Sequence, residues 1–346
     1  MSEERVDVDV RGSHAETTQR IKDRLGEIER AQRIRRILML ALAAGVLVLT
    51  GAGLTYLGFT LAAVVRQFPV FLDNMLNFAT PDFRFFTLYS SGESLDGWSG
   101  FVQSLANPGS LVESILQRNE GTSIIGASVV TIIVGLTGTV VGFPLALFFG
   151  VLGSERVTPF PFNFLFRGTM STIRAIPAIV WVLFYIPVFG PTPLSAMFAI
   201  ATDTIGNMGR LFTDELEEVE EGPIEAISST GANRSQVISF GMLSQVFSSF
   251  IAWALYITEI NVRIAISLGV VGAGGLGQYI KGQLAQLAFS RAAAGIFMVI
   301  VIVISVELFS SRLRSRLRPE EDTGDGFFAA VQRLFDGDRW LGRTNE

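Results

Sequence analysis

The chain has 346 residues, of which 49% are hydrophobic and 17% charged, with a net charge of −5 and a mean hydropathy of +0.45. This composition is too apolar for a soluble globular domain and indicates a membrane protein, for which we expect lipid contacts and no nucleic-acid partner. The absence of cysteine excludes disulfides and cysteine nucleophiles, and the single histidine leaves no cluster for catalysis or metal binding.

The chain divides by composition into five parts. A charged arm, 1–36, has apolar residues at helical spacing, and we expect it to form an amphipathic helix without a cleavable signal peptide. A first apolar segment at 37–65 precedes a polar connection at 66–122, whose aromatic residues suggest that part of it lies at the membrane interface. The apolar core spans 123–311, and a polar tail covers 312–346.

Six apolar segments are long enough to cross a bilayer, which needs about 20 residues per helix. They are predicted at 37–65, 123–152, 168–189, 193–212, 246–268 and 291–311. The sequence therefore predicts an all-α, polytopic membrane protein with six transmembrane helices.

Arginine distribution predicts the orientation of these segments. The N-terminal arm, the 153–167 loop and the stretch that follows the sixth segment are all rich in arginine. Loops with excess basic charge face the cytoplasm, and six crossings place all three on that side. We therefore expect a multi-pass protein of the cell membrane with both termini in the cytoplasm.

Several polar side chains fall inside the apolar segments, where such groups are costly and usually face a bundle interior or a solute path. The candidates for a translocation pathway are Arg174, Asp203, Asn207, Glu259, Asn261 and Arg263. Glu259 and Arg263 are four residues apart, so they form either a self-neutralising pair or part of a path for an anion. Asp203 and Asn207 have the alternative role of holding helices together through hydrogen bonds.

The longest polar interruption in the second half of the chain is 222–245. Gly222 and Pro223 suit the start of a helix, and Gly231 is expected to separate it from a second short amphipathic helix. Two short helices at a membrane surface favour the docking of a partner over chemistry.

A glycine-rich stretch follows the fifth segment, with Gly272, Gly274, Gly275 and Gly277. It satisfies the G-x-G-x-x-G pattern of dinucleotide sites, but an apolar membrane segment precedes it and no acid follows at the required distance. The stretch is not a P-loop either, because no Lys-Ser/Thr pair follows its glycines. We predict a flexible external turn or a tight backbone approach near the end of the pathway.

The polar stretch resembles a known motif at four positions. Glu225, Ala226, Gly231 and Leu243 stand at the spacing of the EAA loop of binding-protein-dependent ABC importer permeases. The family pattern ends in Leu-Pro, whereas Ser244 follows Leu243 here, which puts the helix end after the loop in doubt. The resemblance implies a cytoplasmic coupling helix that sits in a groove of a partner ATPase.

Three further stretches are similar to the phosphonate branch of these permeases. They are 174–177, 203–212 and 258–280, and the resemblance covers about 123–311. It implies a homodimeric permease with two ATPase subunits and an extracytoplasmic binding protein. It also implies that this chain holds no cofactor and is not itself an enzyme, since ATP and Mg²⁺ bind to the partner ATPase.

Other functions remain open from the sequence. Within the importer class, the solute is a phosphonate or related phosphorus oxyanion, or else another small solute such as phosphate, phosphite or an amino acid. An ion-coupled secondary transporter would instead use Asp203 and Glu259 and need no ATPase. A membrane scaffold or channel subunit would need no energised step, and neither class requires an EAA loop.

Overall fold

The computed structural model describes residues 3–116 and 123–317, and every regular element in these ranges is a helix, which confirms the all-α class. Two compact units divide the chain at Asp73 and Asn74. The first helices are α1 (Glu3–Tyr56), α2 (Leu61–Ala79), α3 (Leu88–Gly92), α4 (Trp98–Ala106), α5 (Pro108–Leu116), α6 (Ile124–Gly153) and α7 (Phe162–Ala175). The others are α8 (Ala178–Phe189), α9 (Pro193–Glu217), α10 (Glu221–Ser228), α11 (Arg234–Gln236), α12 (Leu243–Val270), α13 (Gly275–Ala285) and α14 (Phe289–Leu317), with a π-helical turn at Val237–Met242.

The first apolar segment ends earlier than the predicted boundary at 65. Helix α1 stops at Tyr56, and α2 begins at Leu61. Gly58 has a φ of 73°, and the amides of Gly58 and Phe59 donate to the carbonyls of Thr55 and Leu54 at 3.0 and 2.9 Å. This pattern is a Schellman C-cap, which glycine favours because it adopts the left-handed conformation without strain.

The core of the second unit is built on α6 and α9. Glycines of α6 face the backbone of α9, so that a Cβ at Gly142 would lie 2.6 Å from the Ala201 carbonyl oxygen. A Cβ at Gly150 would lie 2.7 Å from the Gly209 carbonyl oxygen. Small residues at such contacts let helices approach closely where the surrounding lipid provides no hydrophobic drive for association.

The number of apolar crossings differs from the predicted six. Among the described residues, four helical stretches are long and apolar enough to cross a membrane, or five if the bent pair α7–α8 is one crossing. The predicted fourth segment, 193–212, is found as α9 but is not among these stretches. The polar residues of α9 lower its hydropathy, and several of them, including Asp203, Thr204 and Thr213, are buried inside the bundle.

The predicted third segment, 168–189, is not one straight helix. The chain breaks between α7 and α8, whose axes differ by 88°. Pro177 lacks an amide hydrogen, and Ile176 before it adopts an extended conformation with φ −99° and ψ 115°. A residue before proline is disfavoured in the helical region, which accounts for the break.

Part of the predicted connection, 66–122, belongs to the core. Phe83 and Phe86 are fully buried, and the Phe83 ring lies 5.5 Å from that of Phe297 in α14. The hydroxyls of Thr87 and Ser104 are 2.8 Å apart and tie α3 to α4. The rings of Phe83 and Phe86 therefore pack inside the helical bundle, and whether part of the connection lies at the membrane interface stays a prediction.

The close contact of α6 with α9 generates a prediction. Replacing Gly142→Ala places a methyl group against the α9 backbone and should destabilise the fold by about 1–3 kcal/mol. Gly168→Ala in α7 is the control, because nothing lies within 4 Å of its added Cβ. The thermal unfolding midpoint in detergent should fall for Gly142→Ala and stay level or rise for Gly168→Ala. Equal midpoints for the two variants contradict the close packing.

Candidate functional site

The coupling segment, residues 222–245, begins with α10 and continues through Gly231 into a longer helix. Pro223 lies in the first turn of α10, as predicted, and Gly231 has a φ of 80°. The Asn233 side chain accepts from the Gln236 amide at 3.0 Å, and the Gln236 side chain accepts from the Asn233 amide at 2.9 Å. This capping box starts a new helix directly after the glycine turn.

The second short helix of the coupling segment is not separate. Helix α11, the π-helical turn and α12 run on without a break. Ser244 retains the amide hydrogen that a proline would lack, so nothing at this position ends the helix. The expectation of two isolated short helices is corrected: one short helix leads into one long helix.

Helix α10 is held firmly to the bundle. The backbone of Glu220 exchanges two hydrogen bonds with the Gln245 side chain, at 3.1 and 3.3 Å. Arg156 pairs with Glu221 at 2.8 Å, and Arg234 donates to the Val157 carbonyl at 2.7 Å. The contacts of Glu220 and Glu221 attach the start of α10 to Gln245 of α12 and to the 153–167 loop, and Arg234 attaches α11 to the same loop.

Three of the four predicted coupling residues share an exposed location. Glu225, Ala226 and Gly231 are exposed, and nothing lies within 4 Å of a Cβ added at Gly231. Leu243 instead packs against the buried cluster that contains Met242 and Phe250. The exposed surface of the coupling segment is therefore available to a partner, and Leu243 supports it from inside.

A cavity of about 300 Å³ lies among α7, α9 and α12. Its lining residues are Arg174, Asp203, Asn207, Leu211, Tyr256, Ile257, Ile260, Asn261 and Ile264. The structure thus brings four of the six predicted pathway residues together, and we call this space the polar cavity. Its walls combine apolar side chains with several converging polar groups, and such a combination is found in sites for small solutes.

The polar side chains of the cavity differ in the hydrogen bonds that they form with other residues. The Asn261 amide is buried and donates to the hydroxyls of Thr139 and Thr204 at 2.8 and 2.9 Å. The Asn207 amide donates to Asp203 Oδ2 at 2.9 Å. Asn261 therefore joins α12 to α6 and α9, whereas Asp203 and Asn207 lie together on one helix.

Arg174 is the cation of the cavity. It lies in the last turn of α7 and is exposed. Within the described ranges it forms no ion pair, although the Asp203 carboxylate lines the same cavity. The cavity therefore contains a positive and a negative group that do not neutralise each other by direct contact.

Glu259 and Arg263 do not line the polar cavity. They form the ion pair that their spacing predicts, and Arg314 of α14 approaches the same carboxylate at 3.5 Å. Glu307 lies 3.7 Å from Arg263. We call these four residues the charge cluster. Sequence reasoning missed Glu307 and Arg314, although their seven-residue spacing puts both on one face of α14.

The glycine-rich turn is a close approach of two helices. Gly272, Gly274 and Gly275 have φ values of 100°, 88° and 70°. The Leu276 amide donates to the Thr131 hydroxyl at 2.9 Å, and a Cβ at Gly277 would lie 2.8 Å from the Val270 nitrogen. Of the two predicted readings, these contacts favour the tight backbone approach, with α13 packed back against α12.

The sequence has relatives of known type. Residues 138–319 match the family described as binding-protein-dependent transport system inner membrane component. HtxC of Stutzerimonas stutzeri, whose name assigns it to a phosphite transport system as a permease, is 31% identical over 63% of this chain and 74% of its own length. The phosphate-import permease protein PhnE of Mycolicibacterium smegmatis is 30% identical over 57% of this chain and only 37% of its own length.

A solved structure is also similar. A chain of the MetNI methionine ABC transporter, in an inward-facing conformation, is 22% identical over 55% of this chain and 92% of that chain, with a TM-score of 0.46. The range matched by the family, 138–319, contains both the coupling segment and all residues that line the polar cavity.

The charge cluster generates a prediction about stability. The Glu259 side chain is only 7% exposed and faces two arginines, so Glu259→Gln should destabilise the fold by about 1–3 kcal/mol. Glu307→Gln is the control: that side chain is 50% exposed, and its pair should contribute at most about 1 kcal/mol. Thermal unfolding of both variants in the same detergent measures how far each one lowers the stability of the fold. Similar decreases for the two variants would show that the burial of Glu259 does not strengthen its ion pairs.

Proposed function

The chain belongs to the family of binding-protein-dependent transport system inner membrane components, and we propose that it is the permease subunit of an ATP-driven importer. The observation that carries this proposal is the coupling segment. An exposed short helix, α10, whose start is fixed to the bundle by Gln245 and Arg156, suits the transmission of a partner's motion. A loosely attached helix would absorb such a motion instead.

The proposed assembly contains two copies of this chain, two ATPase subunits on the cytoplasmic side and an extracytoplasmic binding protein. ATP and Mg²⁺ bind to the ATPase subunits, and both termini of the permease face the cytoplasm. The surface around Glu225, Ala226 and Gly231 sits in a groove of the ATPase. When the ATPase pair closes, α10 moves with it and the bundle changes from inward-open to outward-open.

The proposed solute is a phosphonate or a related phosphorus oxyanion. Two observations support this solute. The names of the relatives refer to phosphite and phosphate, and the Arg174 guanidinium lines the polar cavity. A guanidinium binds oxyanions well because its planar set of donors matches two oxygens at once. The second candidate is a different small solute, since one relative is named as a methionine import permease.

An uptake measurement tests the proposed function. The chain is co-expressed with a phosphonate-type ATPase and its binding protein, and the complex is reconstituted into liposomes. Uptake of radiolabelled methylphosphonate should require both ATP and the binding protein, and unlabelled phosphate should compete less well than unlabelled phosphonate. Uptake of phosphate or an amino acid in place of phosphonate would retain the importer and change the solute. Uptake driven by an ion gradient without ATP contradicts the proposal.

The exposed face of α10 generates a prediction about coupling. Glu225→Arg should weaken docking of the ATPase about tenfold, which corresponds to a loss of about 1.4 kcal/mol, and should reduce solute-stimulated ATP hydrolysis accordingly. The Glu225 side chain is exposed, so the thermal unfolding midpoint of the permease should not change.

The matched control is Glu155→Arg, the same charge reversal at an exposed residue outside the coupling segment. It should leave both stability and solute-stimulated hydrolysis near the wild-type values. If the complex that contains Glu225→Arg also shows normal solute-stimulated ATP hydrolysis, α10 does not contact the ATPase in the proposed way.

A further inference from the structure

We propose that the polar cavity selects oxyanions that carry a proton, with Arg174 binding the anionic oxygens and Asp203 accepting a hydrogen bond from the ligand's hydroxyl group. This inference rests on the proposed function and deepens it, because it names the chemical form of the solute. The expected ligand class is the singly protonated phosphorus oxyanion, such as hydrogen methylphosphonate or hydrogen phosphite. Tetrahedral anions without a hydroxyl, such as sulfonates, are the class that the cavity should reject.

The first step of the argument is the separation of charge in the cavity. Arg174 and Asp203 both line this space of about 300 Å³, yet they form no ion pair with each other. If the cavity simply attracted anions, a carboxylate in its wall would weaken binding by repulsion. A carboxylate beside an anion favours binding when the ligand brings a hydrogen to it.

The second step is the hydrogen-bonding capacity of Asp203. Its Oδ2 accepts from the Asn207 amide at 2.9 Å, and the described part of the chain offers Oδ1 no hydrogen-bond donor. The residue is largely buried but lines the cavity, so Oδ1 is open to a ligand there. When this carboxylate is ionised it only accepts hydrogen bonds, so a ligand group that binds at Oδ1 is a donor.

The third step is the discrimination that this arrangement provides. A phosphonate monoanion has unprotonated oxygens for the guanidinium and one P–OH for the carboxylate. A sulfonate has the same tetrahedral shape and the same charge but no hydroxyl, so one of its oxygens would face Asp203. Sites built to hydrogen-bond a ligand's hydroxyl reject analogues that lack it, because the buried partner is left unpaired next to a repelling oxygen.

Asn207 and Asn261 fit the same scheme. Asn207 holds Asp203 in place from the next turn of α9. Both amide hydrogens of Asn261 have protein partners in Thr139 and Thr204, so this residue does not supply donors to an anion in the cavity. Arg174 remains as the cationic group that lines the cavity, and the ligand's orientation follows from the positions of Arg174 and Asp203.

The test compares two ligands that differ by one hydroxyl group. The full-length permease is purified in lipid nanodiscs without the binding protein, so that only the permease contributes selectivity. Binding of methylphosphonate and of methanesulfonate is titrated by saturation-transfer NMR on their methyl groups, in mildly acidic buffer where methylphosphonate keeps one proton. The wild-type protein should bind hydrogen methylphosphonate at least about tenfold more tightly, the effect of one good hydrogen bond to a charged group.

Variants then separate the roles of the two residues. Asp203→Asn replaces an acceptor with a group that also donates, so the preference should fall to about equality or reverse in favour of methanesulfonate. Arg174→Gln should lower the affinity for both ligands by a similar factor. Asp214→Asn is the control, since that carboxylate lies on the same helix and pairs with Arg210 at 3.1 Å outside the cavity.

The outcomes distinguish this inference from the proposed function. Equal wild-type affinity for the two anions, with both lost in Arg174→Gln, overturns the selectivity but retains an anion site. No saturable binding of either anion overturns the cavity as a solute site and the selectivity with it, whereas ATP-dependent uptake by the whole complex is judged separately. The ratio of the wild-type protein's affinities for methylphosphonate and methanesulfonate is measured without any variant. The proposal is therefore tested even if Asp203→Asn fails to fold.

Discussion

The close approach of α6 and α9 is the constraint on which the core depends. Glycines such as Gly142 and Gly150 allow backbone-to-backbone contact between the two helices, and each then shields one side of the other. Shielding is what permits α9 to carry Asp203 and Asn207 in the middle of an apolar bundle, because polar groups at such positions are tolerated only when they face protein or a cavity. The polar cavity is therefore a consequence of helix packing that glycine makes possible.

Helix α12 connects the coupling segment with the polar cavity. At its beginning, Gln245 holds the coupling segment, and further along, Asn261 joins it to α6 and α9 beside the polar cavity. The π-helical turn at Val237–Met242 lies between α11 and α12, and such turns are frequent at functional positions in helices. Helix α12 therefore runs from the residue that bonds next to α10 to the residues that line the polar cavity, and the charge cluster fixes it to α14.

Much of the helical content and the coupling segment could be predicted, because these features depend on local patterns. Apolar runs indicate helices, and Gly231 marks the turn. The bend at Pro177 and the C-cap at Gly58 depend on single residues inside apolar runs, and a prediction from hydropathy treats each run as one helix. The burial of Phe83 in the core had no local signal, since an aromatic residue suits an interface and a core equally well.

The sequence by itself determined that the chain is helical, that it belongs in a membrane, and where the exposed helix α10 begins. Only the tertiary structure decided which polar residues meet. Glu259 and Asn261 are two positions apart, yet Glu259 joins the charge cluster and Asn261 reaches the polar cavity. With 3.6 residues per turn, positions i and i+2 point to different sides of a helix. Their partners therefore depend on which helix packs on each side, and that is settled by contacts between segments distant in the chain.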